Sequence, residues 1–254
     1  INGSSTQYNI PLQIKFSGTL NFAALSAAFT AIVQRHEVLR TTYHMDEDGS
    51  PFQRVNAAQQ FALAIKEVAG LDAAAKTEQL STLINEEAER PFALDSDLML
   101  RAHLVKESEQ QHVLLMTLHH IAADGWSMKI LHSELVHFYQ QHADAQYALS
   151  ALDKPPLSIQ YADFAHWQAG FINQGALATS LDYWLDNLKE VTPLHGLPTI
   201  GARPSQRRYQ GKVLHQSLNA TQYQALKALC HRHQVTPFML LESCFAYLVS
   251  RFSH

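Results

Sequence analysis

The chain has 254 residues, of which 46% are hydrophobic and 17% charged, and its formal net charge is −4 at pH 7. This composition is typical of a globular protein, without the basic excess that attracts nucleic acid or an apolar stretch of the roughly 20 residues that span a bilayer. Two cysteines, Cys230 and Cys244, lie in apolar helical patterns and are interpreted as reduced core residues of a cytoplasmic protein.

The first hundred residues alternate between strand and helix patterns. Side chains of the first segment alternate between apolar and polar, and Asn21 can cap the helix that follows. Apolar residues then recur at helical spacing, and Pro91 ends a later, polar helix. The predicted elements are a strand at 9–16, a helix over 22–33, a hairpin of strands 39–45 and 52–55, a strand at 61–68 and a helix at 73–90.

The middle of the chain predicts an interior strand. Apolar residues occupy both parities from Val113 to Leu118, which is typical of a strand buried on both faces, and this strand pairs with 98–106. The elements predicted beyond it are a helix from Trp126, helices at 159–171 and 176–189, a proline-rich linker at 191–209, a strand near Val213 to Leu218, a helix from Thr221 and a helix at 237–252.

A group of polar side chains follows the interior strand directly. The sequence HHIAADG occupies residues 119–125 and leads into the next helix. Active groups are often placed at the ends of core strands, because the scaffold there is rigid and the following loop is open. Since successive strand side chains face opposite ways, one of His119 and His120 can face a cleft while the other packs inward.

The same residues admit structural interpretations. Asp124 can cap the helix after it, and His119 can be a core histidine with satisfied hydrogen bonds. Two histidines and a carboxylate can also hold a divalent ion, although adjacent strand histidines diverge and no further ligand cluster stands out. On spacing alone, a catalytic His120 and a structural His120 are equally supported.

Further motifs agree with one family, in that family's order. HHIAADG fits an HHxxxDG signature, and the other segments are YNIP at 8–11, RHEVLRTTY at 35–43, RPFAL at 90–94 and YADFAHW at 161–167. On these motifs the chain resembles condensation domains of nonribosomal peptide synthetases, within a superfamily similar to chloramphenicol acetyltransferase. The resemblance implies an α+β fold, a two-layer α/β sandwich with a mixed sheet flanked by helices.

The resemblance also implies a division of the chain. Residues 1–190 would form the N-terminal subdomain that carries HHxxxDG, 191–209 a linker, and 210–254 the beginning of an incomplete C-terminal subdomain. The family's opening motif, similar to SxAQxRLWxL, is expected upstream of YNIP, before the first residue of this sequence. The active site is expected between the two subdomains, so this chain is expected to carry one wall of it.

Roles for single residues follow from the resemblance. His120 corresponds to the family's active-site histidine, with His119 beside it. Asp124 corresponds to a structural aspartate that pairs with an arginine, here Arg40, and Gly125 would bring its backbone close to the reacting atoms. Structural support of the site is expected from Trp126, Tyr161 and Trp167.

The implied reaction is aminolysis of a thioester. A donor acyl or peptidyl group on the 4'-phosphopantetheine of one carrier protein is attacked by the amine of an acceptor aminoacyl thioester on a second carrier. His120 would act as general base, or would position the amine while proximity supplies the acceleration. No cofactor is expected on the domain itself. The expected partners are donor and acceptor carrier domains, an adenylation domain and the remaining C-terminal subdomain, with no nucleic acid or membrane.

Related functions give the alternatives. An epimerization domain shares HHxxxDG and inverts a tethered aminoacyl centre by proton transfer. A non-catalytic platform would dock carrier or accessory proteins on the same fold. Heterocyclization members replace the signature with a DxxxxD pattern that this chain lacks. Ser127 is interpreted as a residue of the helix start rather than a nucleophile.

Overall fold

The computed structural model of the protein describes residues 6–68, 70, 72–144, 154–192, 196–199, 201–202, 205, 214 and 216–253. Contacts divide the chain into two compact units, Ile1–Ala176 and Leu177–His254, and each is described by itself. The expected subdomain boundaries near residues 190 and 210 remain a prediction.

The first unit is built on a four-stranded sheet and a separate hairpin. The strands are β1 (Asn9–Ser17), β2 (Thr41–Met45), β3 (Pro51–Val55), β4 (Ala64–Glu67), β5 (Leu100–Ser108) and β6 (Gln111–His119). The sheet order is β1-β6-β5-β4, and β2 pairs with β3 in the hairpin. Only β4 and β5 are parallel neighbours among the described strands, so the predicted mixed sheet is confirmed.

The helices follow the predicted segments to within about two residues at most ends. Those of the first unit are α1 (Phe22–Arg35), α2 (Ala73–Glu89), α3 (Gly125–Ala143) and α4 (Tyr161–Asn173), and those of the second are α5 (Ala178–Leu188), α6 (Ala220–His233) and α7 (Pro237–Phe252). Side-chain caps explain several starts. Asn21 accepts a hydrogen bond from the Ala24 amide at 3.0 Å, and Thr236 caps α7, which begins with a proline.

Strand β6 is interior, as its apolar residues at both parities predict. It lies between β1 and β5, with Leu118 opposite Ile10 on one side and Leu100 on the other. One face of the strand joins the core formed with α1 and α3, and the other packs with α2 around Leu83. Packing on both faces makes the end of β6 a rigid base for the residues that follow.

The largest buried cluster lies between the sheet, α1 and α3. Phe29 is fully buried on α1 and stacks on Phe61, with ring centroids 4.9 Å apart. Burying a side chain of this size stabilises a fold by about 1.5–3 kcal/mol. The cluster therefore fixes α1 and α3 against one face of β6, the strand that leads into the HHIAADG segment.

The second unit contains α5, α6 and α7. The strand predicted near Val213 to Leu218 falls partly outside the described residues. Cys230 is buried, but Cys244 is exposed on α7, so the expectation of a core Cys244 is wrong. The apolar residues of α7 are spread around most of its circumference, and none of the described residues of this helix is buried. Within the described part of the chain, no helix is both long and apolar enough to cross a membrane.

Candidate active site

The HHIAADG segment forms a turn between β6 and α3 that main-chain hydrogen bonds hold on two sides. The His119 amide donates to the Met99 carbonyl at 3.1 Å, and the His120 amide donates to the Tyr8 carbonyl at 2.8 Å. Within the turn, the Ala122 amide donates to the His119 carbonyl at 3.0 Å. Both sheet neighbours of β6 therefore fix the backbone that carries the two histidines.

The two histidines face different surroundings. His119 is 7% exposed, and its Nδ1 accepts a hydrogen bond from the Ile121 amide at 3.1 Å. Its ring lies near those of Tyr8 and Phe92, at centroid distances of 6.1 and 5.5 Å. His120 is exposed. The structure thus places His119 inside and leaves His120 accessible at the surface.

An open cavity of about 370 Å³ lies at these histidines. It is lined by Tyr8, Leu94, His119, His120 and Ile121, and the surface that these residues expose to it is mostly apolar. An imidazole beside apolar walls can accept a proton, or a hydrogen bond from an amine, where competing water is reduced. The cavity is therefore the candidate position for the reacting groups.

His119 is suited to a structural role. Burial lowers its pKa below the ordinary value, and electrostatic interactions with His120 and Arg101 act in the same direction. A neutral imidazole can accept through one nitrogen, which agrees with the bond from Ile121 to Nδ1, and the proton is then assigned to Nε2. The interpretation of His119 as a core histidine with satisfied hydrogen bonds fits this geometry.

Asp124 is the N-cap of α3. Its carboxylate accepts hydrogen bonds from the Ser127 amide at 2.9 Å and the Ser127 hydroxyl at 2.7 Å, and its own amide donates to that hydroxyl at 3.2 Å. The backbone bond and then the hydroxyl bond from Ser127 hold the pKa of Asp124 below its usual range. This reciprocal cap fixes the start of α3 directly after the turn, and it is the role that the structural interpretation gave to Asp124.

The expected ion pair between Asp124 and Arg40 is not formed among the described residues. Arg40 ends a short 3₁₀ turn at Glu37–Arg40, where its guanidinium lies 3.3 Å from the Glu37 carboxylate and donates to the Asn56 carbonyl. The two partners of Arg40 flank the β2–β3 hairpin, with Glu37 before β2 and Asn56 directly after β3. The carboxylate of Asp124 instead accepts hydrogen bonds from Ser127. Local partners thus replace the long-range pair.

The aromatic residues expected to support the site are not buried. Trp126 is 77% exposed on the first turn of α3, and Tyr161 and Trp167 on α4 are 46% and 58% exposed. Rings three or four positions apart lie on one helix face, and those of α4 form a series of contacts with one another. The centroid distances along this face are 6.0 Å for Tyr161–Phe164, 5.7 Å for Phe164–Trp167 and 5.3 Å for Trp167–Phe171.

Sequence reasoning missed a buried charge cluster that positions α3. Glu134 is 4% exposed, and its carboxylate lies 2.9 Å from Arg35 Nε and 2.6 Å from His36 Nε2 at the end of α1. Burial acts to raise the pKa of Glu134, but the hydrogen bonds and charges of His36 and Arg35 outweigh it and leave the pKa lowered. The available signal was a carboxylate on the apolar face of a predicted helix.

The alternative of a metal centre would place His119, His120 and Asp124 around one ion. Within the described ranges, no group of three or more histidine, cysteine, aspartate or glutamate side chains is placed to hold a metal ion. The two histidines of the motif diverge, with His119 packed inward and His120 exposed. The arrangement instead offers one accessible imidazole on a rigid turn.

Removing the cap is expected to loosen α3 modestly. Asp124→Ala loses the acceptor for two hydrogen bonds from Ser127, so we expect the melting temperature to fall by roughly 2–4 °C. Asp124→Asn keeps an acceptor oxygen and should avoid most of that loss. Thermal unfolding followed by circular dichroism measures both variants, and an Asp124→Ala protein that melts like wild type would contradict the capping role.

Gly125 is not required by the fold. A Cβ added at this position meets nothing within 4 Å, and Gly125 is not among the glycines with positive φ. Gly125→Ala should therefore change the free energy of unfolding by less than about 0.5 kcal/mol, measured by urea denaturation. Because stability is expected to be unchanged, a loss of activity in this variant would locate the requirement for glycine at the substrate.

The chain is similar in sequence to proteins of known family. The family model described as the condensation domain matches residues 1–254. A linear gramicidin synthase protein from Brevibacillus parabrevis is 37% identical over 251 residues, which cover 99% of this chain and 5% of that protein. Malpibaldin synthetase from Mortierella alpina is 33% identical over 255 residues, which cover 100% of this chain and 4% of that protein. The chain thus spans a small part of these curated relatives.

Solved structures share the architecture. The X-domain from teicoplanin biosynthesis is 26% identical with a TM-score of 0.82, and the match covers 96% of this chain and 53% of that one. The X-domain has also been solved in a complex with OxyB, at a TM-score of 0.80, with 26% identity and coverage of 96% and 52%. A structure on condensation domain-mediated chain release from the enacyloxin polyketide synthase matches at 26% identity and a TM-score of 0.73, covering 98% of this chain and 46% of that one.

Proposed function

The chain belongs to the condensation-domain family, and from this premise we propose that it forms an amide bond between two substrates carried as thioesters. The donor is an acyl or peptidyl group, and the acceptor is the amine of an aminoacyl thioester. One observation carries the proposal. His120 is exposed on a turn that two strands hold, at an open cavity with mostly apolar walls.

The chemistry moves one proton through this position in two transfers. The acceptor nitrogen attacks the thioester carbonyl carbon, a C–N bond forms and the C–S bond breaks. The proton lost by the amine passes to His120 and then to the departing thiolate, so that His120 ends as it began. In the second form of the proposal His120 only orients the amine by a hydrogen bond, and proximity of the two thioesters supplies most of the acceleration.

The remaining residues of the motif support His120. Asp124 fixes the start of α3 through its hydrogen bonds with Ser127, and His119 holds the turn through the Ile121 amide. Gly125 leaves open space beside the turn, since a Cβ there would meet no atom within 4 Å. These contacts restrict the backbone on both sides of His120 and so limit the directions that its imidazole can take.

The proposal includes partners and organisation. Donor and acceptor substrates arrive on the 4'-phosphopantetheine of carrier domains, next to an adenylation domain, in the cytoplasm. The prosthetic arm belongs to the carriers and is part of the substrates. Residues 1–190 would supply the wall that carries His120, and a C-terminal subdomain that begins near residue 210 would supply the opposite wall.

A direct assay tests the proposal. The full-length protein that carries this chain is supplied with donor and acceptor loaded on their carriers, and the amide product is measured by mass spectrometry. Amide formation supports the proposal. Exchange of the α-proton of a single tethered aminoacyl group for deuterium, without amide formation, would overturn it in favour of an epimerization domain.

A second candidate is a docking platform without turnover. The likeness to the teicoplanin X-domain, which has been solved in a complex with OxyB, is the observation that favours it. The platform would bind loaded carriers or an accessory protein and release them unchanged. Binding without either product in the assay above would favour the platform, and amide formation would exclude it as the sole function.

A further inference from the structure

A guanidinium, a phenyl ring and an imidazole contact one another in series beside the HHIAADG turn. The Cζ atom of Arg101 lies 3.8 Å from the centroid of the Phe92 ring. The Phe92 ring meets the His119 ring edge to face, with centroids 5.5 Å apart and an interplanar angle of 70°. Phe92 is 2% exposed. A charge on Arg101 therefore acts on His119 through a buried ring, where screening by water is weak.

The guanidinium of Arg101 is held in place by several acceptors. Nη1 donates to the Pro91 carbonyl at 3.0 Å, and Nη2 donates to the Arg90 carbonyl at 2.7 Å and the Glu87 carbonyl at 3.4 Å. Nε lies 3.5 Å from the Glu87 carboxylate. These bonds tie β5 to the end of α2, and they prevent the guanidinium from turning away from Phe92.

His119 can hold the turn only while it is neutral. Its Nδ1 accepts the Ile121 amide proton, and a protonated imidazole has a hydrogen on both nitrogens and cannot accept. Ile121 follows His120, whose own amide is bound to the Tyr8 carbonyl. The two hydrogen bonds lie on either side of the His120 Cα atom. The charge state of His119 therefore decides whether the backbone after His120 is held.

The charges around His119 come from several elements. Burial disfavours a positive His119 most strongly, His120 and then Arg101 of β5 act in the same direction, and together they lower its pKa. The Tyr8 ring, before β1, lies on another side. Glu87 and Arg90 at the end of α2, and Asp97 before β5, act on Arg101.

We propose that Arg101 is a positioning residue: acting through Phe92, its charge adds to the effect of burial in disfavouring a protonated His119, so that His119 retains the Ile121 amide and the turn that aims His120. The effect on turnover rests on the proposed function of His120. The effect on His119 does not, because it concerns the charge state of a buried imidazole.

The proposal predicts opposite shifts from two neutral replacements. Arg101→Gln removes the positive charge, so the pKa of His119 should rise and the imidazole should protonate at a higher pH than in wild type. Glu87→Gln removes a negative charge that offsets Arg101, so the pKa of His119 should fall. Arg101→Lys keeps the charge and should keep the wild-type midpoint, even if its fewer hydrogen bonds lower stability.

The experiment measures both consequences in the full-length protein. The pH midpoint of His119 is read from histidine C2 hydrogen–deuterium exchange by mass spectrometry, with fragmentation to separate His119 from His120. The rate of amide formation is followed against pH in the same proteins. In Arg101→Gln the acid limb of the rate should move to higher pH with the His119 midpoint, and kcat should fall there more than KM rises.

A matched control removes an equivalent pair elsewhere. Arg54 lies over the Phe52 ring, with Cζ 5.7 Å from its centroid, on strand β3 of the hairpin. Arg54→Gln should leave both the His119 midpoint and the rate profile unchanged. If Arg101→Gln does not fold, the direction in which Glu87→Gln shifts the His119 midpoint tests the proposal by itself.

Three results would overturn the proposal. An unchanged His119 midpoint in Arg101→Gln or Glu87→Gln removes its electrostatic basis. If Arg101→Gln and Arg101→Lys lose the same share of the rate of amide formation at every pH, and both melt at a lower temperature than wild type, Arg101 has a purely structural role. A shifted midpoint without a shifted rate profile would separate His119 from His120. If wild type forms no amide, the proposed function fails, while the midpoints still test the link from Arg101 to His119.

Discussion

Replacing His120 with alanine is expected to slow amide formation about 100-fold or more, since general-base catalysis contributes at least that much in other enzymes. The fold should be unaffected, because the side chain is exposed and the bond of the His120 amide to the Tyr8 carbonyl is made by the backbone. The rate is measured with donor and acceptor loaded on their carriers, and thermal unfolding is compared in parallel.

An exposed histidine outside the turn provides the control. His132 lies exposed on α3, so His132→Ala should form amide at the wild-type rate. His120→Gln keeps a hydrogen-bonding group but cannot take a proton near pH 7. A His120→Gln protein that retains most of the activity lost in His120→Ala would assign His120 to positioning. Near wild-type rates in both variants would show that proximity of the thioesters carries the reaction.

Replacing Glu134 with alanine is expected to lower the free energy of unfolding by about 3–5 kcal/mol, because one partner of a buried ion pair is removed. The Glu134 carboxylate contacts Arg35 and His36 at the end of α1. Without it, Arg35 would keep a largely buried charge that has lost this partner. The pair fixes α3 against α1, and α3 carries Asp124 and Gly125 at its start. Urea denaturation of wild type and variant measures the difference.

The stabilisation should depend on pH with a defined sign. The pKa of Glu134 is lowered in the folded protein, so its carboxylate stabilises the fold above the unfolded value of about 4.3. That contribution is lost as the pH falls through the lower folded value. The difference between wild type and Glu134→Ala should therefore be full at neutral pH and shrink below about pH 4.

Glu109 offers a comparison in which the ion pair is exposed. Its carboxylate lies 2.6 Å from Lys106 Nζ, but its side chain is 84% exposed. Glu109→Ala should leave the unfolding midpoint unchanged, because water screens such a pair. If Glu134→Ala is no more destabilising than Glu109→Ala, then water replaces the buried carboxylate and α3 does not depend on it.

Patterns along the chain were enough to predict the scaffold of the site. Apolar residues at both parities of 113–118 predicted an interior strand, because only burial on both faces explains them, and β6 is interior. Helix caps and breakers such as Asn21 and Pro91 predicted element ends, because their effects act within a few residues. The family resemblance was confirmed over the whole chain.

The orientation of the two histidines could not be predicted from parity. Strand alternation applies only while the strand continues, and β6 ends at His119. Beyond it, the bonds from His120 to Tyr8 and from Ile121 to His119 set the directions of the side chains. Residues from the start of the chain and from the turn itself thus decided which imidazole is exposed.

In the sequence by itself, the family motifs implied the class of fold. Periodicity and caps determined the position of β6 and the turn at its end, since they report local backbone preferences. Only the tertiary structure decided which charges meet. Arg40 and Asp124 took local partners, whereas Glu134 met Arg35, and Arg101 reached His119 through Phe92. The contacts of Glu134 with Arg35 and of Phe92 with His119 join residues far apart in the chain. They depend on how helices and strands pack, which no local pattern records.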